Sequence, residues 1–102
     1  MLHAVLHALI TSCAFFGPGK TDYADTTVSK VAVNSSVGAK PLAACCAACV
    51  AWNANLTLGA ANRCSIGVVH AHTNVQSLCS LKASALRPFA SATATAVQPP
   101  GV

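Results

Sequence analysis

The sequence predicts a small α+β domain in which disulfides staple one helix to a sheet. Three cysteines cluster in Cys45-Cys46-Ala47-Ala48-Cys49, and alanine, the best helix former, dominates the stretch around them. Single cysteines follow at Cys64, in a stretch with the β-branched residues that favour strands, and at Cys79, in a predicted strand that carries Leu78 and Leu81. A chain of 102 residues has room for one domain with a thin core, so covalent staples are expected. Six cysteines indicate an oxidising compartment.

The N-terminal stretch 1-14 is predicted to be a secretory signal peptide. Its apolar run is too short to span a membrane, and the small residues Ser12 and Ala14 suit cleavage after Ala14, which would remove Cys13. Two alternatives stay open. The run is an apolar first helix of the mature domain, or Ile10 to Cys13 is a lipobox-like signal with Cys13 lipidated. A turn-rich start at 15-19 contains Gly17-Pro18-Gly19.

The remaining elements follow from local residue preferences. Thr26 to Val33 is β-branched and alternates like a half-buried strand, and Pro41 suits the first turn of a helix over 42–52. Polar residues 53–63 predict a loop, and 64–71 and 75–83 predict two strands joined by a turn at 72–74. Residues 87-102 are rich in Ala, Ser, Thr and Pro, and their composition predicts a low-complexity disordered tail.

Charge and composition argue against nucleic-acid binding. Charged residues make up 8 % of the chain, the net charge is +4, and the cations occur singly rather than in a basic patch. Aromatic residues, which stack on unpaired bases, make up 5 %. We therefore expect no nucleic-acid partner.

The order of several motifs resembles the PAN/apple domain family. These motifs are Asp22-Tyr23-Ala24-Asp25, a Val-rich strand, the double cysteine with a third cysteine four positions after its first, Cys64 opening a strand, and Cys79-x-Leu81-Lys82. The match covers residues 20-86, although Ser80 stands where that family usually has an aromatic residue. The resemblance implies one helix cradled by a curled antiparallel sheet. It also implies disulfides Cys45–Cys79 and Cys49–Cys64, and a role in binding.

The spacing alone does not fix the disulfide connectivity, and Cys46 is the open case. Without Cys13 it has no obvious partner. It is then buried as a free thiol or pairs between molecules, whereas a Cys13–Cys46 bridge forms if Cys13 is retained.

Metal binding and catalysis are weakly supported by the residue pattern. Cys46, Cys49, His70 and His72 could supply zinc ligands in an intracellular protein, but the spacing is not that of a zinc finger and a secreted chain would oxidise the thiols. The two histidines fall on the same strand face and are instead expected to form an exposed edge or a hydrogen-bonded surface pair. Asp22 and Asp25, the only acidic residues, are expected to cap or solvate a turn. We expect no metal, no cofactor and no enzymatic activity.

The sequence and the resemblance together predict a secreted, non-catalytic binding module with a protein or glycan ligand. Asn34 and Asn55 begin glycosylation sequons in predicted loops. The predicted contact residues, all expected to be exposed, are Arg63, His70, His72 and Lys82. The alternative is a structural component of a larger extracellular assembly, held there through Cys46 or through the tail.

Overall fold

A computed structural model describes residues 13–34, 40–55, 57–71 and 76–100. Most of the predicted signal peptide, the turn at 72–74 with His72, and Ser35 and Ser36 of the first sequon lie outside the described residues. Within the described residues, no helix is long and apolar enough to cross a membrane.

The described chain forms one α-helix and two antiparallel sheets, which is the predicted α+β class. The larger sheet has the strand order β1-β7-β4-β5-β3, and the smaller one pairs β2 with β6. The elements are β1 Ala14–Phe15, β2 Thr21–Tyr23, β3 Thr27–Val33, α1 Lys40–Asn53, β4 Ile66–Ala71, β5 Ser77–Lys82, β6 Pro88–Ala90 and β7 Ala94–Gln98, with a 3-10 turn at Ala60–Asn62.

The larger sheet is covered on both faces, because side chains alternate along each strand. One face turns residues such as Val69, Cys79 and Val97 towards the cysteines of α1. The opposite face packs Val68 and Ala96, with neighbours on β4 and β7, against Tyr23 of β2. The fold therefore has three layers, with the sheet between the helix and the β2–β6 pair.

Three disulfides connect α1 to the sheet side of the molecule. Cys45 bonds to Cys79 on β5, and Cys49 bonds to Cys64 just before β4, with Cα atoms 5.5 Å apart in each pair. Both bridges are the ones that the family resemblance implies. The third joins Cys13 to Cys46, with Cα atoms 6.2 Å apart. The hypothesis that Cys46 is unpaired or bonds between molecules is therefore wrong for this structure, because Cys46 faces the start of β1.

The end of α1 is fixed to the segment that precedes β4. The Asn53 side chain accepts a hydrogen bond from the Cys64 amide and donates one to the Cys64 carbonyl, both at 2.7 Å. The Trp52 indole N–H donates to the Asn62 carbonyl at 2.7 Å. These bonds flank the Cys49–Cys64 bridge, and they order part of what the sequence predicts as an irregular loop over 53–63.

The prediction of a disordered tail over 87-102 is wrong for the part that ends at residue 98, because this part forms two strands, β6 and β7. β7 lies inside the larger sheet, between β1 and β4. Ala94 and Ala96 are buried beneath Tyr23, and Val97 is buried against the helix side. Small side chains suit this position because they let the β2–β6 layer approach the sheet closely. Composition suggests disorder, whereas the Ala94-Thr95-Ala96-Val97 alternation fits a strand.

Candidate binding surface

A continuous segment from Leu86 to Ala90 lies on the surface outside both core clusters. All five of its residues are exposed. The Leu86 side chain is 81 % exposed and that of Phe89 is 48 % exposed, and Arg87 lies between them in the sequence. An exposed aromatic ring, an exposed aliphatic side chain and an arginine within four residues make an unusual surface, since aromatic and arginine side chains are enriched where proteins bind partners.

Asp25 holds the beginning of this exposed segment in place. Its carboxylate is buried and accepts hydrogen bonds from the Ser84 hydroxyl at 2.5 Å, from the Leu86 amide at 3.0 Å and from the Arg87 amide at 2.9 Å. The Ser84 hydrogen bond is the main cause that holds the pKa of Asp25 below its ordinary value. The two amides and the Arg87 charge add to it, and burial opposes it. The prediction that Asp25 caps a turn is consistent with these contacts.

The register of β2 and β6 places Phe89 beside Asp22. The two residues are directly opposite each other, so their side chains project from the same face of this small sheet. The Ser91 amide donates to the Lys20 carbonyl and the Ala24 amide donates to the Arg87 carbonyl. Because bonded and non-bonded pairs alternate in an antiparallel ladder, the backbone groups of Pro88 and Ala90 point towards the open edge of β6.

Pro88 limits what that open edge can bind. Proline has no amide hydrogen, and in edge strands it blocks the addition of another strand. The groups that this segment presents to solvent are therefore the side chains of Leu86, Arg87 and Phe89 rather than a backbone edge open to strand pairing.

Asp22, His70 and Thr93 form a hydrogen-bonded chain next to Phe89. His70 Nε2 lies 2.9 Å from Asp22 Oδ2, and His70 Nδ1 lies 3.2 Å from Thr93 Oγ1. Since a carboxylate only accepts, the Nε2 atom carries a proton in this arrangement, and the other ring nitrogen either accepts from the threonine hydroxyl or donates to it. This chain ties the β2–β6 layer to β4 and fixes the polar border of the exposed segment.

The Asp22–His70–Thr93 chain has the residue order of a hydrolase triad, but the backbone amide next to its hydroxyl is already hydrogen-bonded. An oxyanion site needs donors aimed at the developing oxyanion. The amide that follows Thr93 is that of Ala94, and it donates to the Ser91 carbonyl at 3.3 Å. The neighbouring donor is thus engaged within the turn.

The four predicted contact residues have different surroundings. His70 is half-buried in the chain just described, on a central strand rather than at an edge. Arg63 is exposed, and its guanidinium donates to the Asn53 carbonyl at 3.4 Å. The expectation that Lys82 is exposed is wrong. It is buried, and its ammonium donates to Thr27 Oγ1 at 2.8 Å and to the Asp25 carbonyl at 3.3 Å. His72 lies outside the described residues.

Both asparagines of the predicted glycosylation sequons are exposed. Asn55 Oδ1 accepts hydrogen bonds from the Thr57 amide at 3.1 Å and from the Thr57 hydroxyl at 2.7 Å. This is the local turn that Asn side chains commonly form. Asn34 directly follows β3.

Sequence reasoning missed Leu86, Arg87 and Phe89, because they fall at and beyond the predicted domain boundary. A signal was nevertheless available. Leu86-Arg87-Pro88-Phe89 interrupts the Ala/Ser/Thr-rich composition with the last large side chains before the C-terminus.

Comparisons with protein-family models, with curated proteins and with solved structures returned no match for this chain. The PAN/apple resemblance thus rests on the residues of this sequence alone.

Proposed function

We propose that this protein is a secreted, non-catalytic PAN/apple-like module that recognises a protein or carbohydrate partner through the exposed Leu86–Ala90 segment. The observation that carries the proposal is the exposure of Phe89 beside the Asp22–His70 pair on one face of the β2–β6 layer. The exposed side of the Phe89 ring can pack against a partner, and the adjacent polar groups can orient that partner.

Two further observations support the PAN/apple part of this proposal. The Cys45–Cys79 and Cys49–Cys64 bridges are those that the resemblance implies, and α1 packs on an antiparallel sheet. The Cys13–Cys46 bridge is an addition to the implied pattern.

Secretion is supported by the use of cysteine in the structure. None of the cysteines is free, and three disulfides in so small a domain suit an oxidising extracellular compartment. Cleavage after Ala14 would remove Cys13, which is the bonded partner of Cys46. Any leader removed during secretion is therefore expected to end before Cys13.

The alternative of a structural assembly component has less support in the structure. Its two proposed contacts were Cys46 and the tail. Cys46 is bonded to Cys13 within the chain, and the tail forms β6 and β7.

Binding of the tagged, disulfide-intact protein to cultured cells and to an oligosaccharide array tests the proposed function. We expect saturable binding that falls at least tenfold in Phe89→Ala, because an exposed aromatic anchor contributes about 2 kcal/mol or more when a partner covers it. Cells treated with trypsin or with glycosidases distinguish a protein partner from a glycan.

Phe15→Ala is the matched control. Phe15 is 72 % exposed, but it is opposite Val97, whose side chain faces the helix side of the sheet. Equal losses in both variants, or no saturable binding of the unaltered protein to cells or glycans, would contradict the proposed function.

A further inference from the structure

The surface of this protein carries unbalanced positive charge, because the fold uses both of its carboxylates internally. The chain has two acidic residues, Asp22 and Asp25. Asp22 pairs with His70, and Asp25 is buried under the hydrogen bonds of Ser84, Leu86 and Arg87. Asp25 partly offsets Arg87, whose charge helps to lower the pKa of the Asp25 carboxyl, but two carboxylates cannot balance six lysine and arginine side chains.

In contrast to the two carboxylates, most of the lysine and arginine side chains are exposed. Of the six lysine and arginine residues, Lys82 is buried, and the others are exposed: Lys20, Lys30, Lys40, Arg63 and Arg87. A partner that binds this surface must approach a positive potential, and a negatively charged partner approaches it fastest and binds it most favourably.

Two of these cations border the exposed segment that we propose as the binding surface. Arg87 is opposite Ala24 at one end of the β2–β6 pair, and Lys20 is bonded through its carbonyl to Ser91 at the other end. Phe89 lies between them. With about 3.4 Å per residue in an antiparallel strand, Lys20 and Arg87 are separated by about 14 Å along the ladder. This spacing suits two acidic groups on either side of an apolar side chain.

The apolar residues decide which kind of anion fits best. Leu86 is 81 % exposed and directly precedes Arg87. Burying a leucine side chain contributes about 1.5–3 kcal/mol, but only when the partner supplies apolar atoms. A sulfated polysaccharide supplies charge and hydroxyl groups without such a surface. An acidic protein segment that also carries aliphatic or aromatic side chains supplies both.

We infer that the partner is a protein with an acidic, apolar-containing segment that packs on Leu86 and Phe89 while its carboxylates pair with Lys20 and Arg87. This inference rests on the proposed function and specifies its partner. Pro88 keeps the segment from adding a backbone strand at the open edge of β6, so the recognition is through side chains.

Panning a random dodecapeptide display library on the intact protein tests this inference. We expect enriched peptides to have net negative charge and at least one large apolar residue. The synthetic form of the most enriched peptide should bind about tenfold more weakly to the double variant Lys20→Glu/Arg87→Glu, since two attractive pairs become repulsive. Leu86→Ser should lower the affinity for the same peptide at least tenfold, and 0.5 M salt should lower this affinity several-fold.

Lys40→Glu is the control for the charge change. Lys40 is exposed at the start of α1, on the other side of the larger sheet from β2 and β6, and a negative side chain is tolerated at a helix N-terminus. Its affinity for the selected peptide should match that of the unaltered protein. Circular dichroism of each variant identifies any loss of folding, and the Leu86→Ser variant keeps the test valid if the double variant unfolds.

Three outcomes would overturn the inference. Enriched peptides without a negative bias would do so, as would equal losses in Lys40→Glu and the double variant. Tighter binding to heparin or to phosphatidylserine vesicles than to any peptide, unaffected by Leu86→Ser, would assign the surface to a glycan or a membrane. In each case cell binding that still depends on Phe89 would leave the proposed function standing, whereas its absence would remove both.

Discussion

At the scale of single residues, Asp25 connects the stability of the fold to its exposed segment. Its carboxylate accepts the Ser84 hydroxyl and the amides of Leu86 and Arg87, and these contacts hold its pKa below the ordinary value. A lowered pKa means that the folded state prefers the ionised carboxylate. The stabilisation is therefore present above the unfolded pKa of about 4 and is lost as the pH falls through the folded pKa.

Asp25→Asn should consequently make the free energy of unfolding less dependent on pH in the acidic range. We expect the variant to be less stable than the unaltered protein at pH 7 by about 1–3 kcal/mol, because a buried charged acceptor is replaced by a weaker one. The difference should shrink towards pH 3. Urea unfolding followed by circular dichroism at both pH values measures this, and a difference that grows on acidification would contradict the assignment.

Gly67 is a second residue whose role depends on one contact. A Cβ added there would lie 2.5 Å from Cys45 Sγ, and that sulfur is fixed by its bond to Cys79. We expect Gly67→Ala to lower the free energy of unfolding by about 1–3 kcal/mol, as overpacking in a core does.

Gly59→Ala is the matched comparison for Gly67→Ala. A Cβ at Gly59 meets nothing within 4 Å, and its φ of −69° suits any residue. The effect should stay within about 0.5 kcal/mol. Similar losses at the two glycines would show that α1 does not approach β4 as closely as the structure indicates.

His70 allows a residue-level test of the non-catalytic assignment. If the Asp22–His70–Thr93 chain is a structural connection, the unaltered protein and His70→Ala should hydrolyse p-nitrophenyl acetate at the same rate. The amide that follows Thr93, that of Ala94, is already engaged, because it donates to the Ser91 carbonyl. A rate at least tenfold higher in the unaltered protein would indicate catalysis.

At the scale of elements, α1 depends on its cysteines. The helix is 14 residues long, which is marginal in isolation, and its buried residues are Pro41 and the three cysteines. Little large apolar surface is available to hold it against the sheet. The disulfides therefore carry a greater part of the helix docking than they would in a helix rich in leucine.

Replacing Cys49 and Cys64 together with alanine should lower the free energy of unfolding by about 3 kcal/mol, the chain-entropy value for a loop of this size. The two residues are 15 positions apart, and the Asn53 hydrogen bonds to Cys64 remain in the variant. Denaturant unfolding under non-reducing conditions measures the loss. An unchanged unfolding midpoint would show that the Asn53 hydrogen bonds and the core contacts hold the end of α1 against the segment before β4 without the disulfide.

At the scale of the whole molecule, the C-terminal stretch completes the larger sheet. β7 is paired on one side with β1 and on the other with β4. A chain ending at Arg87 should therefore be largely unfolded by circular dichroism and should form mixed disulfides, whereas a disordered tail would be dispensable. Native-like unfolding of the truncated chain would contradict the sheet order.

The sequence predicts the parts of the fold that local patterns control. The alanine-rich cysteine cluster predicts α1, and the apolar patterns of the following and preceding stretches predict β3, β4 and β5, all within two residues at their ends. β7 is missed because its strand character depends on burial beneath Tyr23, and the exposed β6 is missed because it depends on pairing with β2, which in each case is a long-range contact. Composition cannot report such a contact.

The candidate site was predicted less completely for the same reason. His70 is identifiable as a polar residue on a strand, but its partner Asp22 is 48 positions away. The exposure of Leu86 and Phe89 follows from the way Asp25 and β2 hold the segment, and no local pattern contains that information. Lysine side chains are usually exposed, but Lys82 is buried by the turn around Asp25, and its ammonium donates to the Asp25 carbonyl.

The proposed function requires a partner to contact the segment from Leu86 to Ala90. The most direct measurement is the amide chemical-shift footprint of the isotope-labelled, disulfide-intact protein titrated with the peptide that binds it most tightly. We expect the largest shifts at residues 86–91 and at 20–22 of the paired strand. Largest shifts along the exposed side of α1, with residues 86–91 unchanged, would contradict it.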